Sequence, residues 1–195
     1  MPVVWYFLIH TYTIFFIKFV SKITKFVTMN LEYVKKKIEF YQDFPIKGVE
    51  YIDLNPIYKD PKARDILVDK CIELIDNIDF DYLALIESRG FLIGSILADK
   101  LKKGIVLCRS KKDRLPGKIQ TVRHKLEYGE AVMQVQEGEG KVLIFDDVLA
   151  TGGTANGAFK VLSKAGYSPV HSLFLVELSQ FDVKCDTEYN SAIVL

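Results

Sequence analysis

The chain has 195 residues, 49% hydrophobic and 26% charged, enough for one globular domain with a sizeable buried core. Its formal charge of +1 gives no broad field of the kind that gathers nucleic acid. Cys71, Cys108 and Cys185 lie far apart, as do His10, His124 and His171, so no zinc spacing is present and a reduced, cytoplasmic protein is expected.

Residues 1–28 stand apart from the rest, with no acid, three lysines and eight aromatics. Residues 1–17 carry no charged side chain, but His10, Thr11 and Thr13 interrupt an apolar run that falls short of a membrane span. There is no basic leader and no small-residue cleavage site, which argues against a signal peptide. Lys18, Lys22 and Lys25 share one helical face, a pattern suited to a membrane surface. Two readings stand: an extension ahead of a true start at Met29, or a membrane-associated segment. Membrane contact is expected only if the segment is present and exposed. Residues 29–195 are read as a single domain.

From Asn30 the apolar spacing of Leu31, Val34, Ile38 and Tyr41 predicts a helix over Leu31–Tyr41. Asp43 to Gly48 is a loop by its Pro and Gly, and Val49–Asp53 is short and extended. Asp60-Pro61 opens a helix, with Asp60 as N-cap. Asp81–Ile86 reads as a buried strand, Glu87–Gly90 as a turn, Phe91–Leu101 as a helix and Ile105–Arg109 as a strand. That order is a βαβ unit and predicts a parallel sheet. Ser110–Val122 is basic, has no clear period and contains Pro116-Gly117, so it is expected to be a lid-like loop. Arg123–Tyr128 and Ala131–Gln136 flank Gly129-Glu130 as a hairpin.

The most informative stretch is Val142–Thr154. A buried strand, Val142–Phe145, ends in two carboxylates, Asp146 and Asp147. The loop Ala150-Thr151-Gly152-Gly153-Thr154 then opens a helix reaching Ala165, and its unscreened backbone N–H groups suit a phosphate. Two acids so near an anion would repel it, so they are better acceptors for sugar hydroxyls. A strand His171–Glu177 follows, and the tail from Ser179 is too short for a second domain. Several cations on the turn and basic loop would serve a second, larger anion at the carboxyl edge of the sheet.

Val142–Thr154 resembles the phosphoribosyl-diphosphate signature of the type I phosphoribosyltransferase family. Asp43–Val49, Glu87–Gly94, Leu115–Gly117 and Leu126–Gly129 resemble its adenine-specific members, over about Asn30 to Gln180. The resemblance implies an α/β fold with a mainly parallel sheet flanked by helices and a small N-terminal hood. It implies purine salvage: adenine and 5-phosphoribosyl 1-diphosphate give AMP and diphosphate, with Mg²⁺ carried by the diphosphate and no direct protein ligand. By the same resemblance, Ala150, Thr151, Gly152, Gly153 and Thr154 hold the 5-phosphate, and Asp146 and Asp147 the ribose hydroxyls. Arg89, Lys111, Lys112 and Arg114 serve the diphosphate, the loop cations closing over it from their own chain or from a partner in a homodimer. Glu50, Tyr51, Ile52 and Val148 bind adenine, and Glu127 is the acid/base, with Arg89 beside it in catalysis.

This sequence departs from the family pattern at Ile52, where an Arg is usual, and at His124, where a Tyr is common. Its basic loop is one residue longer, and its tail after Gln180 is shorter. Two alternatives stay open: a hypoxanthine or guanine enzyme, and a non-catalytic sensor of phosphoribosyl diphosphate.

Overall fold

The computed structural model describes residues 30–126 and 129–195, with the backbone alone at 124–126, 129 and 130. Expectations for residues 1–28 and for Glu127 therefore lie outside the described residues. The chain divides into two compact units, Met1–Ile66 and Leu67–Leu195. No helix among the described residues is long and apolar enough to cross a membrane.

In the first unit, helix α1 covers 30–35 and two antiparallel strands follow, β1 (Glu39–Gln42) and β2 (Glu50–Asp53). The single helix expected over Leu31–Tyr41 is thus cut short. Ile38 still follows the helical apolar spacing and is buried, but Phe40 and Tyr41 enter a strand whose partner lies ten residues on. Aromatic residues favour such pairing, and only the pairing distinguishes them from a continued helix. Helix α2 (Asn55–Lys59) follows, and α3 (Pro61–Leu74) begins as expected. Asp60 caps α3 through the backbone N–H groups of Lys62 (2.9 Å) and Ala63 (3.2 Å). It also pairs with Lys37 at 2.7 Å and accepts the Tyr33 hydroxyl at 2.6 Å, and these bonds, Lys37 first, hold its pKa well below the usual carboxylate range.

The second unit is built on a five-stranded parallel sheet, in the order β4-β3-β7-β8-β9. These strands are β3 (Tyr82–Ile86), β4 (Gly104–Cys108), β7 (Gly140–Leu149), β8 (Tyr167–Glu177) and β9 (Tyr189–Val194). Between β4 and β7 the chain makes an antiparallel hairpin, β5 (Ile119–Leu126) and β6 (Gly129–Gln136). Helix α4 (Gly90–Leu101) links β3 to β4, and α5 (Gly153–Ala165) links β7 to β8.

The pleat of the strands sorts the core onto two faces. Ala84, Ile86, Val106, Cys108, Val142 and Ile144 pack with Ala158, Val161 and Leu162 of α5 and with Met133 and Val135 of the hairpin. Helix α4 takes the opposite face, where Gly94 lies against Leu85 and Phe145. A Cβ on Gly94 would sit 2.4 Å from Leu85 Cδ2 and 2.9 Å from Phe145 Cδ1, and both side chains are fully buried. Ala is the better helix former by about 1 kcal/mol, yet overpacking should win here. Gly94→Ala is expected to lower stability by about 1–3 kcal/mol in urea unfolding; a stabilised variant would show that α4 can lift off the sheet freely.

Three expectations change. Strand β5 begins at Ile119, so the basic loop ends at Lys118 and not Val122. Ile119-Gln120-Thr121-Val122 mixes polar and apolar residues on both faces, which hides its period, but it pairs with Met133–Gln136 and Val122 packs on the core. Strand β7 runs on to Leu149, so Asp146 and Asp147 lie within it. The tail supplies a fifth strand, β9, in which Ala192 and Ile193 are buried.

Candidate active site

The strand order reverses between β3 and β7. From β3 the chain crosses over α4 to β4 on one side; from β7 it crosses over α5 to β8 on the other. The carboxyl ends of two such neighbours flank a crevice that neither crossover fills. The register shows why it opens at the acid pair. Strand β7 pairs with β3 only as far as Leu85↔Phe145, but with β8 as far as Leu149↔Glu177. Asp146 and Asp147 remain in the ladder with β8 after β3 has turned away.

The turn that β3 makes there carries Arg89, whose Nε lies 2.7 Å from Asp147 Oδ2. Asp147 is only 3% exposed, so the guanidinium compensates a carboxylate almost shut off from water. The Glu87–Ser88 peptide within this turn is cis. Gly90 closes the turn, and a Cβ there would come within 3.0 Å of Asp146 Oδ1 and 3.2 Å of the Phe145 carbonyl. A side chain at this position would push the turn off the acid strand.

Asp146 has a different environment. Its Oδ1 accepts the backbone N–H of Asp147 at 2.9 Å. Burial of the carboxyl, and then the negative charge of Asp147, raise its pKa well above the ordinary range; the Asp147 N–H and Arg89 oppose the shift without reversing it. The two neighbouring acids are therefore unequal: Asp147 is matched by a cation, while the surroundings of Asp146 favour its neutral form.

Beyond β7, Ala150–Gly152 lead into α5, whose first two residues are Gly153 and Thr154. Gly152, the N-cap of α5, adopts φ +91° and has no side chain to cap the helix, a helix start of the kind that suits an anion. The Gly153 N–H lies 3.4 Å from Thr151 Oγ1.

Lys111, Lys112 and Arg114 are exposed on the loop after β4, at the same carboxyl edge of the sheet. The root of this loop is tied down by residues to which the sequence alone assigned no role. Glu87 accepts the Ser110 N–H at 2.8 Å and its hydroxyl at 3.2 Å, and pairs with Arg109 at 3.3 Å. Buried Gln134 accepts the Asp113 N–H at 3.0 Å, between Lys112 and Arg114. The visible signal was an acid beside Arg89 with a charged loop after the next strand; Gln134 sits in an ordinary hairpin pattern and gave none.

Val148 is half-buried in β7. Glu50, Tyr51 and Ile52 belong to β2 of the first unit. There the Tyr51 ring meets Phe44 edge-on, with centroids 5.0 Å apart, and Ile52 is buried at 5% exposure. The structure thus sets Arg89 against Asp147, with Asp146 beside it and the 150–154 loop directly after them at the end of β7. Glu127 lies outside the described residues; β5 ends at Leu126 and β6 begins at Gly129.

A loop shaped for a phosphate, acceptors for hydroxyls and cations for a second anion are the parts needed to hold a phosphorylated, activated sugar. Residues 57–191 match the family model of the phosphoribosyl transferase domain. The adenine phosphoribosyltransferase of Prochlorococcus marinus (strain NATL1A) is 46% identical over 154 residues, which is 77% of this chain and 89% of that protein. That of Thermosipho melanesiensis is 43% identical over 151 residues, 75% of this chain and 85% of that one. The crystal structure of adenine phosphoribosyltransferase from Thermoanaerobacter pseudethanolicus aligns with a TM-score of 0.79 at 33% identity, covering 85% of this chain and 99% of that one. The chain belongs to the adenine phosphoribosyltransferase family, glycosyltransferases of purine salvage.

Proposed function

We propose that the crevice between β3 and β7 binds 5-phosphoribosyl 1-diphosphate and passes its ribose 5-phosphate to adenine, releasing diphosphate and forming AMP. In this reading the Ala150, Thr151, Gly152, Gly153 and Thr154 segment holds the 5-phosphate, and Asp146 and Asp147 accept the ribose hydroxyls. Arg89, Lys111, Lys112 and Arg114 attract the diphosphate. The observation that carries it is the 2.7 Å contact between Arg89 and Asp147, which holds the turn after β3 against the acids of β7.

Breaking the bond from C1 to the diphosphate leaves positive charge on the sugar and adds negative charge to the leaving group. Fixed cations lower the barrier by meeting the second charge, and the nearby carboxylates favour the first. Mg²⁺ bound to the diphosphate would offset the same leaving-group charge. It fits as an ion brought by the substrate: among the described residues no three His, Cys, Asp or Glu side chains converge, and Asp147 is already matched by Arg89. Glu127 is assigned the proton transfer at the purine. Glu50, Tyr51, Ile52 and Val148 are assigned the base. These five roles rest on the family resemblance, and the burial of the Ile52 side chain leaves its backbone to make the contact.

A homodimer is part of the same reading. Leu92 on α4 and Ile105 and Leu107 on the edge strand β4 are exposed apolar side chains of the kind a second copy would cover. A cytoplasmic location is supported by three free cysteines, two of them fully buried.

The basic loop gives the test. Lys111→Ala, Lys112→Ala and Arg114→Ala are made singly. At least one is expected to raise KM for phosphoribosyl diphosphate about fivefold, the scale of one exposed ion pair, with KM for adenine unchanged and the effect shrinking in salt. Three unchanged KM values would remove this loop from the diphosphate site.

A further inference from the structure

The segment between β8 and β9, to which the sequence assigned no role, packs against the loop that opens α5. Residues 181–189 alternate between half-buried and exposed, like a strand, though no neighbouring strand pairs with most of them. Val183, Cys185 and Tyr189 face inward onto Leu149, Ala155 and Phe174. This seats the segment under the start of α5. Polar contacts then reach the loop itself. The Lys184 N–H donates to the Thr151 carbonyl at 3.0 Å, and the Lys184 carbonyl would lie 2.4 Å from any Cβ on Gly152.

Asn156, on the first turn of α5, joins the two from the other side. Its Nδ2 donates to the Lys184 carbonyl at 2.6 Å, and its Oδ1 accepts the Asp186 N–H at 2.7 Å. Its own N–H donates to the Gly152 carbonyl at 2.9 Å. One side chain therefore locks both backbone directions of the 184–186 segment while its backbone holds the glycine of the loop. A backbone anion site works only when its N–H groups are fixed at converging angles, and a misplacement of about 1 Å can cost on the order of 10²-fold in rate.

We infer that Asn156 is a positioning residue for the 5-phosphate: it acts through the 184–186 segment to fix the backbone of Thr151 and Gly152. The inference rests on the 5-phosphate reading of residues 150–154. Its side chain need not touch the substrate. What it supplies is the backing against which the loop holds its shape when the phosphate is absent.

The test uses the full chain with ribose 5-phosphate as a binding probe in calorimetry, beside steady-state kinetics. Asn156→Ala is expected to weaken ribose 5-phosphate binding and raise KM for phosphoribosyl diphosphate in parallel, by roughly five- to thirtyfold for two lost hydrogen bonds. KM for adenine and binding of free diphosphate should stay unchanged. Asn156→Asp keeps the acceptor for the Asp186 N–H and should fold, with an intermediate loss; it carries the test if the alanine variant is unstable. Thr154→Ala separates the two ideas. If it weakens ribose 5-phosphate binding while both Asn156 variants bind normally, Asn156 is structural only and the inference falls. If no variant changes binding, the 5-phosphate reading falls with it.

Discussion

Gly152→Ala is expected to lose at least about 10²-fold in kcat/KM for phosphoribosyl diphosphate and about 1–3 kcal/mol of stability. Two independent faults meet at this residue. At φ +91° an alanine pays the left-handed penalty that glycine avoids. Its Cβ would also lie 2.4 Å from the Lys184 carbonyl oxygen, a backbone atom that cannot rotate away. The loop or the segment behind it must move, and either movement spoils the converging N–H groups. Gly153 has no positive φ and begins α5, so Gly153→Ala is the control and should retain most stability. Urea unfolding and steady-state kinetics on both variants check this; equal damage would mean that bulk in the loop, and not the Gly152 conformation, is what matters.

Asp146→Asn should separate stability from activity. Burial raises the folded-state pKa of Asp146 above its unfolded value, so the native protein holds this proton more tightly than the unfolded chain does. Stability of the free protein therefore falls as pH rises from the ordinary carboxylate range through the raised value, and above it the full penalty is present. Asparagine keeps the acceptor for the Asp147 N–H and removes the charge. The variant should be more stable than the parent at pH 7–8 by about 0.5–2 kcal/mol, with a flatter pH profile. It should also lose roughly ten- to a hundredfold in kcat/KM, because a charged acceptor for a ribose hydroxyl is gone. Thermal unfolding from pH 4 to 8 with parallel kinetics reads both. A variant less stable than the parent at pH 8 would show that Arg89 outweighs burial, and unchanged kinetics would take Asp146 out of the ribose site.

What could be read from residues alone was decided by how local the physics is. The apolar run at Val142–Phe145, the Gly152-Gly153 turn and the Asp60-Pro61 helix start announce themselves within a few positions; the first lies in β7 and the last opens α3 as expected, while α5 starts two residues early, at Gly153. Helix α1 ending at 35, β5 beginning at Ile119 and β9 closing the sheet are each decided by a partner strand, so local spacing was silent or misleading. The same divide runs through the site. Asp146, Asp147 and Arg89 could be proposed from residue type and position, and the contact between Arg89 and Asp147 is seen in the structure. Glu87, Gln134 and Asn156 could not, because their roles depend on backbone groups 21 to 30 positions away. The inequality of the two acids was equally hidden, since it follows from which of them Arg89 reaches.

The reversal of strand order between β3 and β7 also bears on how the chain finds this structure. Tyr82 and Val142 are register partners 60 positions apart, and the intervening chain must form β4 and a whole hairpin before returning. Closing so long a loop costs entropy before any contact repays it, and parallel pairings of this kind are slow to form. The crevice thus lies across the most distant sequential junction between neighbouring strands of the sheet. A substrate that touches both the Arg89 turn and the β7 acids ties that junction shut, so occupancy reinforces the fold at the pairing that was hardest to assemble.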